Sequence, residues 1–337
     1  MDLPVSLRLA IEEKAADYST AELAKEAAAI SRRYRDEVGA GKRLVTTDLS
    51  ALTYAIMRMP ATFGAVSSAL GYTLALSGFE PSTLLDVGAG TGAAAFAADQ
   101  ALFLQEVTCL EREKAMAKLG REWMKSGSDA LENARWIDGD ITADGALPKA
   151  QLVTAAYVLG ELSDTARQQA VARLWNACEG ILLIVEPGTP AGYTQLQKVR
   201  RQLLDLGAHL IAPCPHEKDC PLPADDWCHF TCRVSRTRLH KQVKGGDAPY
   251  EDEKYCYLAV SRIPTEQAAA RVLRHPRIES GNITLQLCTD EGLVTRKVTK
   301  KEGAAFKAAP TANFIAHKAQ RYKYAGKQTD IVVRINR

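Results

Sequence analysis

Through the first 75 residues, apolar positions recur at helical spacing. SLRLAIEEKAADYS and STAELAKEAAAISRRYRDEVG place them three and four apart. Ser19 or Thr20 is positioned to cap the second of these helices. After a Gly-Lys break, DLSALTYAIMRMPATFGAVSSALGYTLAL predicts a third helix. Pro60 should kink or split it, because proline lacks the N–H that the helical turn requires. The period then changes. Strand TLLDVGAG precedes helix TGAAAFAADQAL, and strand EVTCLERE precedes helix KAMAKLGREWMKSG. ARWIDGDI and QLVTAAYVLGEL are two more strands, followed by helix DTARQQAVARLWNAC, strand GILLIVEPG and helix YTQLQKVRRQLLDLGA. Strands that alternate with helices predict an α/β chain with a doubly wound, parallel, Rossmann-like sheet.

Past Leu210 the periodicity stops. IAPCPHEKDCPLPADDWCHFTC is rich in Pro, Cys and His and predicts a loop ordered by something other than a core. KYCYLAVSR resumes as a strand that rejoins the same sheet, and NITLQLC, TDEG and LVTRKVT form a β-hairpin. The last segment is basic and irregular and closes on a strand-like DIVVRI. The pattern divides the chain into a helical segment 1–75, a Rossmann-like domain 76–262 with a Cys-rich insertion 211–256, and a C-terminal module 263–337 with a β-hairpin.

Composition narrows the class. Apolar residues make up 46% and charged residues 25%, ordinary for a globular chain. No apolar run reaches the roughly 18 residues of a membrane span. The N-terminus has neither a signal core nor an Arg/Ser-rich transit pattern, so a cytoplasmic location is expected, with no membrane partner and a monomeric state. The net charge of +3 hides an asymmetry: residues 261–337 carry 15 Lys+Arg against 6 Asp+Glu, while the rest is acidic. A basic module on an acidic body points to a polyanion partner.

The sharpest motif is Asp86-Val87-Gly88-Ala89-Gly90-Thr91-Gly92, between an apolar strand and a helix. Its glycines allow a tight turn and close backbone approach to a ligand, and the helix N-terminus offers free N–H groups. The spacing D-x-G-x-G-x-G differs from the dinucleotide G-x-G-x-x-G and resembles motif I of class I methyltransferases. Glu111 ends the second strand, where a carboxylate can accept both ribose hydroxyls. Asp140 follows the third strand, with Asp138 as its alternative; in those methyltransferases this position contacts the adenine amine. Asp86, Gly88, Gly90, Gly92, Glu111 and Asp140 are therefore the expected S-adenosylmethionine ligands. The residues after the fourth strand, Ala156 to Leu162, hold neither Asn/Asp-Pro-Pro-aromatic nor a cysteine nucleophile. Tyr157, as a stacking ring, and Glu161, as a base, are the catalytic candidates. A purely structural role for both, packing and helix capping, stands beside that reading.

Five of the eight cysteines fall between Cys214 and Cys256, spaced Cys214-x5-Cys220-x7-Cys228-x3-Cys232 and then 23 residues to Cys256. Clustered thiols beside prolines suggest a metal more than disulfides in a cytoplasmic chain. The spacing is not that of a zinc ribbon and is compatible with a [4Fe–4S] cluster; His216 and His229 keep zinc open. Cys109, Cys178 and Cys288 sit in apolar runs and are expected in the core.

Several of these stretches together resemble the mitochondrial small-ribosomal-subunit methyltransferase-like family, over about residues 50–310. They are Arg58-Met59-Pro60-Ala61-Thr62, the glycine loop, Val185-Glu186-Pro187-Gly188-Thr189-Pro190, Pro213-Cys214-Pro215-His216, Cys220-Pro221-Leu222, Trp227-Cys228-His229-Phe230, Tyr250-Glu251-Asp252-Glu253-Lys254-Tyr255 and Leu287-Cys288-Thr289. The resemblance implies a class I methyltransferase fold, S-adenosylmethionine, an iron–sulfur cluster and association with small-subunit rRNA during ribosome assembly. Carried over, the cluster ligands are Cys214, Cys220, Cys228 and Cys256, with Cys232 as a local rival for the fourth place. Phosphate contacts would then fall to Arg233, Arg236, Arg238, Lys297, Lys300, Lys301, Lys307, Lys318, Arg321 and Lys323, with Tyr322 and Tyr324 free to stack on bases. An active rRNA methyltransferase and a small-molecule methyltransferase with a structural metal are the rival functions.

Overall fold

The computed structural model describes residues 1–36, 43–311, 313–315, 322–324 and 327–329. Helices α1 (Val5–Ala15), α2 (Thr20–Asp36) and α3 (Asp48–Ser77) open the chain. The start of α2 is fixed by a reciprocal cap: Glu22 N donates to Ser19 Oγ at 3.3 Å and Ser19 N donates to Glu22 Oε2 at 2.9 Å. Helix α3 runs unbroken through Pro60, so the expected split does not occur. Its apolar faces are buried on several sides at once, and that burial outweighs the lost hydrogen bond.

The strands and helices then alternate: β1 (Thr83–Val87), α4 (Ala93–Asp99), β2 (Glu106–Glu111), α5 (Lys114–Met124), α6 (Asp129–Glu132), β3 (Arg135–Asp138), β4 (Ala150–Ala156), α7 (Asp164–Ala177), β5 (Cys178–Pro187), α8 (Pro190–Asp205), β6 (His209–Ala212), β7 (Phe230–Ser235), α9 (Arg238–Lys244) and β8 (Tyr250–Ser261). The main sheet has the order β3-β2-β1-β4-β5-β8-β6. β3, β2, β1, β4 and β5 are parallel, and β8 is antiparallel to its neighbours. This is a Rossmann-like, class I methyltransferase fold. The order reverses between β1 and β4, and ligands of such sheets bind at the carboxyl ends of strands at that point.

The Cys-rich insertion 211–256 contains β7 and α9 besides its loop. β7 pairs with the first half of β8, Cys232 opposite Glu253, and its burial alternates, so Cys232 packs inward near Gly64 of α3. The second half of β8 pairs with β5 and β6. A second sheet follows, with β9 (Ala270–Val272), β10 (Arg277–Glu279), β11 (Asn282–Thr289) and β12 (Gly292–Thr299). β11 and β12 form the expected hairpin. The strand-like DIVVRI lies outside the described residues. Among the described residues no helix is long and apolar enough to cross a membrane.

Candidate cofactor pocket and thiol cavity

The glycine loop stands at the carboxyl end of β1. Gly88, Gly90 and Gly92 all have positive φ. Gly88 N and Ala89 N both donate to Leu110 O, at 2.8 and 3.1 Å, which ties the loop to β2. One pocket opens above it, and its lining includes Gly88, Gly90, Glu111, Met116, Asp140 and Glu161. Three successive strand ends thus meet around one space, as the motif order requires.

Each acid has its own environment. Glu111 Oε2 accepts from Gly90 N at 2.6 Å and Oε1 accepts from Glu113 N at 2.7 Å, so the carboxylate also braces the loop. Burial pushes its pKa up, against those backbone donors. Arg112 spans the pocket mouth, with Nη1 3.2 Å from Asp140 Oδ2 and Nη2 3.5 Å from Glu161 Oε2. Burial raises Asp140, but the Thr142 N–H and hydroxyl and Arg112 bring it below the ordinary value. Burial pushes Glu161 up to about 7 despite Arg112.

Two expected ligands lie elsewhere. Asp86 is 2% exposed and is not among the lining residues; its Oδ1 accepts from Thr154 on β4 at 2.7 Å. Strand alternation turns it beneath the loop. Gly92 caps α4 with φ +92, a conformation that L side chains rarely adopt, so its glycine serves the turn. Burial raises Asp86 to about 7. A carboxyl whose folded pKa lies above its unfolded value binds more protons when folded. Its penalty is absent below the unfolded value near 4 and grows as pH rises to 7, by roughly 4 kcal/mol at most. Asp86→Asn removes that charge while keeping the Thr154 acceptor. The variant should melt several degrees above the parent at pH 8 and level with it at pH 4, checked by thermal unfolding across pH.

Tyr157 and Glu161 leave β4 toward the same pocket. Tyr157 has φ 59, an uncommon conformation for a bulky residue. Its Oη donates to Glu253 Oε1 at 2.8 Å, and Arg58 Nη2 stands 3.2 Å from the same oxygen. Behind Tyr157 a second cavity of about 420 Å³ is lined by Tyr34, Tyr54, Met57, Arg58, Glu161, Glu186 and others. Glu186 at the end of β5 is 2% exposed, and its Oε1 accepts from Leu159 N at 2.9 Å. Glu186 carried no role of its own in the sequence, although it ends an apolar strand and stands in one of the stretches that carry the family resemblance.

The cysteines converge on a separate space. Cys214, Cys220 and Cys228 of the loop between β6 and β7 line one cavity with Cys256 of β8 and Cys288 of β11. Cys288 is thus not a plain core residue, as its apolar run suggested. The second sheet brings it to the loop cysteines, and Cys288 Sγ lies 3.6 Å from His216 Nε2. Burial pushes Cys288 up to about 12, with Cys214, Cys220 and Cys228 the next contributors. Cys256 faces differently: its thiol donates to Pro187 O at 3.2 Å and Glu186 O at 3.6 Å. Tyr193 of α8 donates to Cys220 Sγ at 3.0 Å, and the buried Arg200 holds the loop through His216 O at 2.9 Å and Lys218 O at 2.7 Å. All eight cysteines are free thiols. Among the described residues no three His, Cys, Asp or Glu side chains close on a common point at metal-holding distance. The thiols ring the cavity instead.

The basic candidates are dispersed. Arg233 is paired with Asp252 at 2.7 Å and stacked on Tyr250, so its charge is already answered. Arg236 is half-buried, and Arg238 is exposed at the start of α9. Lys297 on β12 and the adjoining Lys300 and Lys301 are exposed, and Lys307 lies in α10 (Ala304–Ala308). Lys318 and Arg321 lie outside the described residues, and of Tyr322, Lys323 and Tyr324 only the backbone strand is described.

Comparison with known proteins agrees with one family. Residues 48–315 match the model of the mitochondrial small ribosomal subunit protein Rsm22. The chain is 30% identical over 274 residues to the human mitochondrial ribosome assembly protein METTL17, covering 74% of this chain and 58% of that protein. It is 24% identical over 173 residues to Rsm22-cox11 tandem protein 2 of Schizosaccharomyces pombe, covering 38% of this chain and 23% of that protein. The chain therefore spans well under two thirds of the length of either relative. Among solved structures it is similar to magnesium protoporphyrin IX methyltransferase from Synechocystis (14% identity, TM-score 0.38, 69% of this chain and 91% of that one). It is also similar to the plantazolicin methyltransferase BpumL (13%, TM-score 0.40, 75% and 99%). The fold assignment rests on the sheet order, to which these add nothing.

Proposed function

The chain belongs to the Rsm22 family, and from that premise we propose that it is a small-ribosomal-subunit assembly factor that binds rRNA, S-adenosylmethionine and a thiolate-held metal. The observation that carries the cofactor is the meeting of Gly88, Gly90, Glu111 and Asp140, from three strand ends, around one pocket. In this reading the glycine loop would receive the amino acid end of the cofactor, and Glu111 and Asp140 the adenosine end. Isothermal titration with S-adenosylmethionine tests it; absence of heat overturns it.

The donor set of the thiol cavity suits a soft or borderline metal, and the [4Fe–4S] cluster is the reading we adopt over zinc. Cys214, Cys220 and Cys228 would hold it. Cys288 is the better fourth ligand than Cys256, because all three of those thiols act on Cys288, whereas only Cys228 acts on Cys256, whose thiol donates to carbonyls of β5. Bound metal would convert raised thiols to thiolates and order the loop, and would release protons as it does so. Iron, sulfide and zinc analysis of anaerobically purified protein separates the two metals.

RNA binding falls to the exposed side chains of the second sheet. Replacing Lys297, Lys300 and Lys301 together by alanine should weaken binding to small-subunit rRNA about tenfold or more at moderate salt. It should also flatten the slope of log affinity against log salt by roughly 2 to 3. Filter binding over a salt series measures both. A second reading, an active rRNA methyltransferase, draws on Glu161, whose carboxyl is raised toward a general base's range between the two cavities. Transfer of label from S-adenosylmethionine to purified rRNA decides for it, and loss of transfer in Glu161→Gln would fix the residue.

A further inference from the structure

We propose that Tyr193, Arg200, His216 and Arg271 form a donor shell around the thiol cavity, serving Cys220, Cys214, Cys288 and Cys228 respectively, and that this shell raises the one-electron reduction potential of the cluster those thiols would hold. The proposal deepens the iron–sulfur reading above and rests on it. Three observations point to the shell.

The first is the pairing. Tyr193 donates to Cys220 Sγ at 3.0 Å, and His216 Nε2 stands 3.6 Å from Cys288 Sγ. Arg200 acts on Cys214, and Arg271 on Cys228, each through its charge and a side-chain hydrogen bond. Tyr193 and Arg200 come from α8 and Arg271 from β9, so the Rossmann-like domain and the second sheet both supply donors. The second is the exception. Cys256 lines the same cavity, but its thiol is itself the donor, to Pro187 O at 3.2 Å and Glu186 O at 3.6 Å. The side chains that act on it are Glu186 and Cys228, and neither is a cation. Acceptors suit a sulfur that keeps its proton, and donors suit a sulfur that carries charge. One cavity thus sets four sulfurs apart from a fifth. The third is charge. Arg200 is 3% exposed and Arg271 4% exposed, and both line the cavity. Besides Cys214, Arg200 bonds the carbonyls of His216 and Lys218, and no carboxylate pairs with it among the described residues. A buried cation without a counter-ion is costly, and an anionic occupant removes that cost. Metal-bound thiolates supply the anion. Reduction adds one electron from an external one-electron donor, breaks no bond, and makes the site one charge more negative. Fixed cations and donors at the sulfurs therefore stabilise the reduced form more than the oxidised form.

The test is a redox titration of the anaerobically purified full chain, with dithionite as the reductant and electron paramagnetic resonance as the readout. Arg200→Gln should lower the potential by about 60 mV, a tenfold change in the ratio of reduced to oxidised site. Arg200→Lys keeps the charge and should recover most of that shift. Tyr193→Phe keeps the ring, loses only the hydroxyl, and should change the same ratio about threefold while retaining its iron. It reads the shell even where Arg200→Gln loses its metal. Arg201→Gln, an exposed neighbour on α8 paired with Asp219, should leave the potential in place. An unmoved or raised potential in the iron-loaded Tyr193→Phe and Arg200→Gln proteins, or an equal shift in Arg201→Gln, would overturn the proposal and leave the cluster reading standing. A parent protein without iron and sulfide removes both.

Discussion

Gly88→Val should abolish S-adenosylmethionine binding and destabilise the protein by roughly 2–5 kcal/mol. Two causes add. Gly88 has φ +70, a region that a β-branched side chain almost never enters, and a Cβ there would stand 2.3 Å from Val158 Cγ2. Val158 belongs to the turn after β4 and lines the pocket, so the strain cannot be relieved without moving a pocket wall. The loop is also pinned from beneath by the hydrogen bond from Gly88 N to Leu110 O at 2.8 Å. Gly90→Ala is the control. Its φ is +58, but its Cβ would meet nothing nearer than Met116 Sδ at 4.0 Å, so only about 1 kcal/mol of conformational cost is expected. Denaturant unfolding gives the stability difference, and calorimetric titration gives the affinity. A Gly88→Val protein that binds the cofactor like the parent would show that the pocket lies elsewhere.

Cys288→Ala should lose its metal as completely as Cys214→Ala, while Cys256→Ala should keep it. The contrast is sharp because residue 288 lies in another sheet, 60 positions past Cys228, whereas Cys256 is nearer in sequence and equally buried. Structural metal sites are worth about 10 kcal/mol or more in small domains, so metal-free variants should melt far below the parent. Elemental analysis reads occupancy, and the bleaching of visible absorption on reduction reports an iron–sulfur cluster. Retention of metal in Cys288→Ala with loss in Cys256→Ala would restore the ligand set first expected from the sequence.

The parallel sheet was legible because each strand and helix carries its own period, and burial on both sheet faces makes the strands apolar throughout. The cap of α2 was legible as Ser19 or Thr20, since capping is settled within a few residues; the reciprocal bonds with Glu22 select Ser19. Of the six residues assigned to the cofactor, Gly88, Gly90, Glu111 and Asp140 line the pocket, whereas Asp86 and Gly92 support it from behind. A motif specifies spacing along the chain; which side of the strand faces the ligand depends on how the loop settles on β2.

The thiol cavity divides the same way. Cys214, Cys220 and Cys228 are close in sequence and announced themselves as a cluster. Cys288 was hidden in a strand whose apolar alternation gave it every mark of a core residue, and only packing of β11 against the loop places it with the others. β7 was hidden because the prolines and cysteines before it masked an alternation that needs β8 as partner. The split expected at Pro60 does not occur for the opposite reason, since local propensity counts one lost hydrogen bond and not the burial of α3 on several sides. Sequence alone determined the fold class, the glycine loop and the loop thiols, because backbone conformation and periodicity are local. The tertiary structure decided which side chains share a cavity, because that depends on contacts between residues far apart along the chain.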